Sequence, residues 1–407
     1  MAESWDVRLH LPSAQALYLH VPFCKRKCAY CDFASWGTPC DDPLMGGYER
    51  SLERLVSEAR DLGLLDGCKT AYVGGGTPSY LGEGLVSLVS CVKGAAPQIR
   101  ELTCEANPDS LSDALLSWLV TAGATRVSIG VQSLDDEELA QLGRIHTAAQ
   151  ACKRVAAAVA SGLDVSCDLM CAIPLQTRES WEATLEQALS LGVGHVSVYP
   201  LVIEDGTALA RRVGDSNPAW NDPDVQAERM EQARSIIEKH GLSRYEVASY
   251  ALPGCQCRHN VAYWTGVPYL GLGTGAASML SAEGYLRLLE ACPHLEALPQ
   301  GKSRVRLTVT SSPVELADAR CLDDLAFDLE FLSEREAAAE DLMLGARLTA
   351  GLEPSLVNHA RKLIGERLDA TLDDLVADGY LDGALRPTKR GWLLGNELYG
   401  RLWDLAS

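Results

Sequence analysis

The 407-residue chain has no uncharged apolar run of about 18 residues, so nothing in it reads as a membrane span. Its first residues, MAESWDVRLHLPSAQ, show no apolar core behind a basic flank. No signal peptide is therefore expected, and a cytoplasmic location is. Positive charge is also in deficit. The formal net charge is −19, which argues against nucleic acid as a main partner, because phosphates require a basic face. It argues equally against adsorption on anionic lipid. No internal repeat and no low-complexity segment is evident.

What is present is ordinary globular material. Hydrophobic residues make up 47% of the chain, and the length allows two domains or three. There are 14 cysteines, but they are diluted in a long chain expected to stay reduced. Cys68, Cys91, Cys104, Cys152, Cys167, Cys292 and Cys321 sit in apolar surroundings and read as small buried hydrophobes.

The first half alternates between two textures. Short β-branched runs occur at 16–22, 69–76, 101–108, 126–133, 163–170 and 195–201. Helical patterns lie between them, several ending in Gly. Strict alternation of six strand–helix pairs predicts an α/β fold with a parallel sheet and right-handed crossovers. Six units are too few for a closed eight-fold barrel, so a partial TIM-like barrel is expected, with chemistry at the C-terminal ends of its strands. Residues 244–280, dense in Gly and aromatics, read as loops and short strands. Beyond about 310, helical patterns precede a strand-like pair at 385–395, which suggests a winged-helix-like module. The expected division is 1–310 and 311–407.

The strongest local signal is YLHVPFCKRKCAYCDFAS, 18–35. Cys24, Cys28 and Cys31 follow the first strand with C-x3-C-x2-C spacing. Structural zinc sites close with four ligands, whereas clustered thiolates suit an iron–sulfur cluster. Three thiolates on a four-iron cluster leave one iron open. That iron can chelate the amino and carboxylate groups of S-adenosylmethionine, and an electron from the cluster can then release a deoxyadenosyl radical. Further on, Gly75, Gly76 and Thr77 in YVGGGTPS follow strand two and let backbone approach a ligand. Glu105 ends strand three, where a carboxylate can accept two hydrogen bonds from a ribose diol. Gln132, Arg144 and Asp168 are polar groups near the same expected rim. His20 could tune a cluster through a hydrogen bond or simply pack. Lys25, Arg26 and Lys27 read as a solvated charge run, with an acidic ligand or partner as the alternative.

CKRKCAYC resembles the signature of the radical SAM family, with Tyr30 at the aromatic position before the third cysteine. LYLHVPFC, VGGGTPS, EANP, RVSIGVQSLDDEELAQLGRIH, YEVASYALPG, CRHNVAYW and YLGLG together resemble one branch of it, the coproporphyrinogen III dehydrogenase and heme chaperone group. The resemblance implies a [4Fe-4S] cluster on Cys24, Cys28 and Cys31. It places Tyr18, Gly75 and Glu105 at the cluster-bound S-adenosylmethionine. Gly76, Thr77, Gln132, Arg144, Asp168 and Tyr30 would face a second one where it is bound. The dehydrogenases carry a further cysteine two residues after the third; here that position is Phe33. The heme chaperones carry HNxxYW, and this chain reads HNVAYW, with His259, Asn260, Tyr263 and Trp264.

The resemblance therefore implies a chaperone that binds heme and passes it to apoproteins, membrane respiratory enzymes among them. It also implies an electron donor such as flavodoxin or ferredoxin. Coproporphyrinogen III oxidation and radical methyl transfer are the alternatives. His259 is the expected axial ligand, or a thiolate from Cys255 or Cys257 instead. The HNVAYW segment is expected to cross the open side of the partial barrel. Three positions depart from the family: Ala277 replaces a His, Cys171 a Tyr and Pro200 a Gln.

Overall fold

The computed structural model describes residues 11–213 and 222–407. Most of the leading segment read for a targeting signal lies outside the described residues. β1 (Ala16–Val21) leads into a short parallel pair, β2 (Phe23–Cys24) and β3 (Trp36–Gly37), which brackets the cysteine loop. Then come β4 (Thr70–Gly75), β5 (Glu101–Ala106), β6 (Arg126–Gln132), β7 (Asp164–Cys171) and β8 (His195–Pro200). In the sheet the order is β1-β4-β5-β6-β7-β8, each strand parallel to the next. A helix follows each strand, as at Glu83–Ala95 after β4 and Asp113–Ala122 after β5.

The sheet continues at both edges. β9 (Ser243–Arg244) and β10 (Ser249–Ala251) extend the β8 side in antiparallel pairing. β11 (Tyr269–Leu272) joins β1 in parallel, and β12 (Ala277–Ser281), β13 (Lys302–Val309) and β14 (Phe327–Ser333) follow antiparallel. The chain is thus α/β with a mostly parallel central sheet.

The strands' residues alternate, and the alternation decides where the site lies. Leu17, Leu19, Ala71, Val73, Leu102, Cys104, Val127, Ile129, Val165, Cys167, Val196 and Val198 belong to the main apolar core shared with the helices. The residues between them are different: Tyr72, Thr103, Glu105, Ser128, Ser166, Asp168, His195 and Ser197 face a common interior space. Successive side chains on a strand point to opposite faces. One face of this sheet is therefore a conventional core, and the other is polar.

Local signals fix the helix ends. Asp42 caps the helix Pro43–Asp61, with Pro43 in its first turn. Thr147 and Gln150 form a capping box on Ala148–Ala160. Gly123 closes Asp113–Ala122 in the left-handed conformation, at φ 104°.

A second core is built from helices Glu334–Gly345, Pro354–Ile364, Glu366–Ala377 and Gly395–Trp403. The main sheet and its core run on to Ser333, past the 310/311 division expected from sequence texture, because β13 and β14 pair along their length. The strand-like pair expected at 385–395 is a single bridge, Leu381 to Pro387. Thr388 instead caps a short helix, Lys389–Leu393. The two cores are tied by Arg304 on β13, which pairs with Glu340 and Asp341, each at 2.8 Å.

Candidate functional site

The polar face of the parallel strands encloses a cavity of about 410 Å³. Cys24, Cys28 and Cys31 stand on its wall with Tyr30, Gly75, Gly76, Thr77, Glu105, Gln132, Arg144 and Asp168. Residues scattered over 145 positions of sequence, from Cys24 to Asp168, thus meet in one place. Tyr18 and His259, also expected at the site, are not on this wall.

The cysteine loop is fastened on several sides. The Ala29 amide donates to Leu142 O at 2.9 Å, and the Leu209 amide donates to Ala29 O at 2.6 Å. His20 holds the loop from below: its Nε2 meets Ala34 O at 2.8 Å and its Nδ1 meets the Tyr18 hydroxyl at 3.0 Å. Burial lowers the His20 pKa, so the ring is a neutral strut between β1 and the loop. It touches no cysteine sulfur by hydrogen bond. Tyr18 meets the site through the His20 hydrogen bond and the Tyr72 ring, at 6.3 Å between centroids.

All three sulfurs already have hydrogen-bonding partners, Cys31 Sγ lying 3.7 Å from the Ser35 hydroxyl. Thr77 Oγ1 lies 3.5 Å from Cys24 Sγ, and an Arg144 guanidinium nitrogen lies 3.4 Å from Cys28 Sγ. Arg144 also donates to Asn107 Oδ1 at 2.7 Å and Gly130 O at 2.6 Å. Asn107 passes the link on to Thr77 Oγ1 at 3.0 Å. Gln132 sits at a register shift in β6 with φ 67°. A non-glycine residue in that region is strained, and such strain gathers at functional sites.

Glu105 is the best-defined acceptor. It takes hydrogen bonds from the Tyr72 hydroxyl at 2.8 Å and the Gly75 amide at 3.0 Å. Burial pushes its carboxyl up to about 7; the Tyr72 bond opposes this, and nearby Asp168 adds to it. Gly75 has φ 114°, and a Cβ there would lie 2.6 Å from the His20 ring. Glycine is required at that turn on both counts.

Asp168 lies deeper, held by Ser128 Oγ at 2.8 Å and Ser166 Oγ at 3.5 Å. Burial raises its pKa, while its serine hydrogen bonds lower it. Ser166 also meets His195 Nδ1 at 2.7 Å. The floor is formed by Arg126, Cys257 and Asn260.

The HNVAYW segment forms this floor and does not cross an open side. It is a helix, Arg258–Trp264, under the N-terminal ends of β4, β5 and β6. Glu101, first in β5, accepts from the amides of Arg258 at 3.0 Å and His259 at 2.9 Å. A carboxylate thus caps the helix start, which no side chain of its own satisfies. His259 is buried. Its Nδ1 meets Thr70 Oγ1 at 3.1 Å and its Nε2 meets the Tyr263 hydroxyl at 3.0 Å. An axial ligand needs a free lone pair aimed at the iron, and neither nitrogen offers one in this arrangement. Burial also drives the Cys257 pKa well upward, which disfavours its thiolate. Cys255 is half-buried. Of the departures from the family, Cys171 is buried in the main core, Pro200 lines the cavity and Ala277 is exposed at the start of β12.

Sequence reading missed Tyr72, Asn107, Ser128, Ser166, Ser197, His195 and Arg126. The signal was available: each except Asn107 is a polar or aromatic residue at an alternating strand position. The donor set fits an iron–sulfur cluster, with three thiols on one wall and a hydroxyl or guanidinium group beside each.

Residues 18–188 match the model of the Radical SAM superfamily. The heme chaperone HemW of Mycobacterium tuberculosis H37Rv is 35% identical over 390 residues, covering 93% of this chain and 92% of its own. HemW of Bacillus subtilis is 32% identical over 404 residues, covering 95% and 98%. Among solved structures, coproporphyrinogen III oxidase (HemN) from Escherichia coli superposes with a TM-score of 0.73 at 19% identity. It covers 99% of this chain and 92% of that one, a likeness of fold.

Proposed function

The chain belongs to the heme chaperone HemW family of radical SAM proteins, and from that premise we propose that it binds heme and delivers it to apoproteins. The observation that carries this reading is the near full-length similarity to HemW chaperones of several bacteria. Phe33 supports it against coproporphyrinogen III oxidation, since a phenyl ring cannot replace a thiolate.

Cys24, Cys28 and Cys31 would hold the [4Fe-4S] cluster, which supplies one-electron chemistry and an open iron when bound. Around it the chain's own groups do the positioning. Glu105 offers a buried acceptor to a ribose diol, with Tyr72 and Gly75 fixing its orientation. Arg144 and Thr77 place donors at the sulfurs, which stabilises thiolate charge. Tyr30, Gly76, Thr77, Gln132, Arg144 and Asp168 would face a second S-adenosylmethionine, the guanidinium suited to its carboxylate and the aspartate to its ammonium. The six strand–helix units are taken as a partial barrel around that lumen. Respiratory enzymes as heme recipients, flavodoxin or ferredoxin as electron donor, and a cytoplasmic location belong to the same proposal. Among the described residues no helix is long and apolar enough to cross a membrane.

The test is to incubate the anaerobically reconstituted protein with hemin, and separately with coproporphyrinogen III and reductant. The account expects stable hemin binding and no protoporphyrinogen. Decarboxylated product would move the chain to the oxidase reading.

A further inference from the structure

We propose that heme docks on the apolar mouth of the cavity, over Phe33, Tyr199 and Val202, and not at the HNVAYW helix. The inference rests on the heme chaperone reading above and asks where such a protein holds its cargo.

Isolated exposed hydrophobic side chains are common on proteins. Here three of them gather around one opening. Phe33 is 63% exposed, Tyr199 42% and Val202 48%, and all three line the same cavity as the cluster cysteines. Phe33 is also the residue that replaces the further thiol of the dehydrogenases. A porphyrin is a flat apolar disc with carboxylates on one edge, so its site needs apolar walls and nearby cations.

The cations are present at this end. Lys25, Arg26 and Lys27 are exposed in the cysteine loop, and Arg26 lines the cavity. The helix Ala208–Val213 brings Arg211 and Arg212 alongside, since its Leu209 amide bonds Ala29 O in the loop. Asp32, Glu204 and Asp205 are the acidic side chains in these segments. Among the described residues these segments thus carry five cations against three carboxylates, with Arg26, Lys27, Arg211 and Arg212 also donating to backbone carbonyls, in a chain whose net charge is −19. The opposite end offers no such site, because both ring nitrogens of His259 are engaged and the helix carrying it closes the floor.

A disc lying over the mouth covers the cavity that the cluster cysteines line. Heme and S-adenosylmethionine would then affect each other's release, and the coupling must be reciprocal.

The test uses the reconstituted holoprotein and hemin, read by Soret absorbance in anaerobic titration. Phe33→Glu with Val202→Glu places charge at exposed positions, where folding is little affected. The double variant is expected to lose hemin affinity by about tenfold or more, with the cluster spectrum retained. Hemin added to wild-type protein is expected to slow S-adenosylmethionine release. His259→Gln is expected to leave the Soret band in place. If the double variant binds hemin like wild type, or His259→Gln alone abolishes the band, the site is not at the mouth. If the double variant keeps hemin but loses reduction by flavodoxin, the mouth is instead the dock of an acidic electron donor. If wild-type protein binds no hemin at all, the chaperone reading itself fails.

Discussion

His259 and Tyr72 lie ring against ring, with centroids 5.2 Å apart and planes 29° from parallel. Tyr72 in turn donates to Glu105, and Glu105 accepts from the Gly75 amide. The floor helix is thereby linked to the carboxylate expected to hold a ribose. At the helix's other end, Trp264 lies 5.1 Å beneath the Arg347 guanidinium, next to the C-terminal helices. His259→Ala is expected to weaken S-adenosylmethionine binding about three- to tenfold by freeing Tyr72, with cluster absorbance unchanged. Equilibrium dialysis on the reconstituted variant measures this. Wild-type affinity would show that the stack positions nothing.

Glu105 should make that binding pH-dependent. Its carboxyl titrates at about 7, and the ionised form is the better acceptor for a diol. Affinity should rise from about pH 6 to about pH 8, and Glu105→Gln should flatten the profile. Glu105→Ala should cost about 1.5–3 kcal/mol of binding. Stability carries the opposite sign. The folded pKa is raised above the ordinary 4.5, so this group's contribution is full below about 4.5 and lost as pH rises through about 7. A pH-independent affinity in wild-type protein would contradict the assignment.

Replacing Cys24, Cys28 and Cys31 together by alanine should abolish the brown absorbance and bring iron from about four per chain to near zero. Full absorbance in the triple variant would place the cluster elsewhere.

Arg304 joins the sheet to the C-terminal helices through two carboxylates, and all three side chains are buried. Arg304→Ala leaves Glu340 without this partner and Asp341 short of its closest cation. A loss of about 3–5 kcal/mol in unfolding free energy is expected, read by chemical denaturation. A loss below about 1 kcal/mol would mean that water or neighbouring groups compensate.

The sequence revealed the cysteine loop and the parallel strands because both are local patterns. Thiol spacing is covalent, and β-branched runs alternate visibly with helices. Gly75, Thr77, Glu105, Gln132, Arg144 and Asp168 were legible through family motifs, and the cavity brings them together. His259 was not legible as a floor residue. Its environment is set by Thr70 and Glu101, which lie far away in sequence. β13 and β14 escaped for a related reason: they gain stability by pairing with each other at the end of a sheet whose register is set elsewhere. The inward serines were readable in principle, since RVSIGVQ and DVSCDL alternate, but polar inward positions run against the expectation of an apolar core.

The most direct test of the chaperone account is heme transfer. Holoprotein loaded with one heme, freed of excess by gel filtration, is mixed with a heme-depleted respiratory apoenzyme whose activity requires heme. The account predicts that heme absorbance leaves this chain and enzyme activity appears, while free hemin at the same concentration restores less. Heme that stays on this chain, or activity no greater than with free hemin, would contradict it.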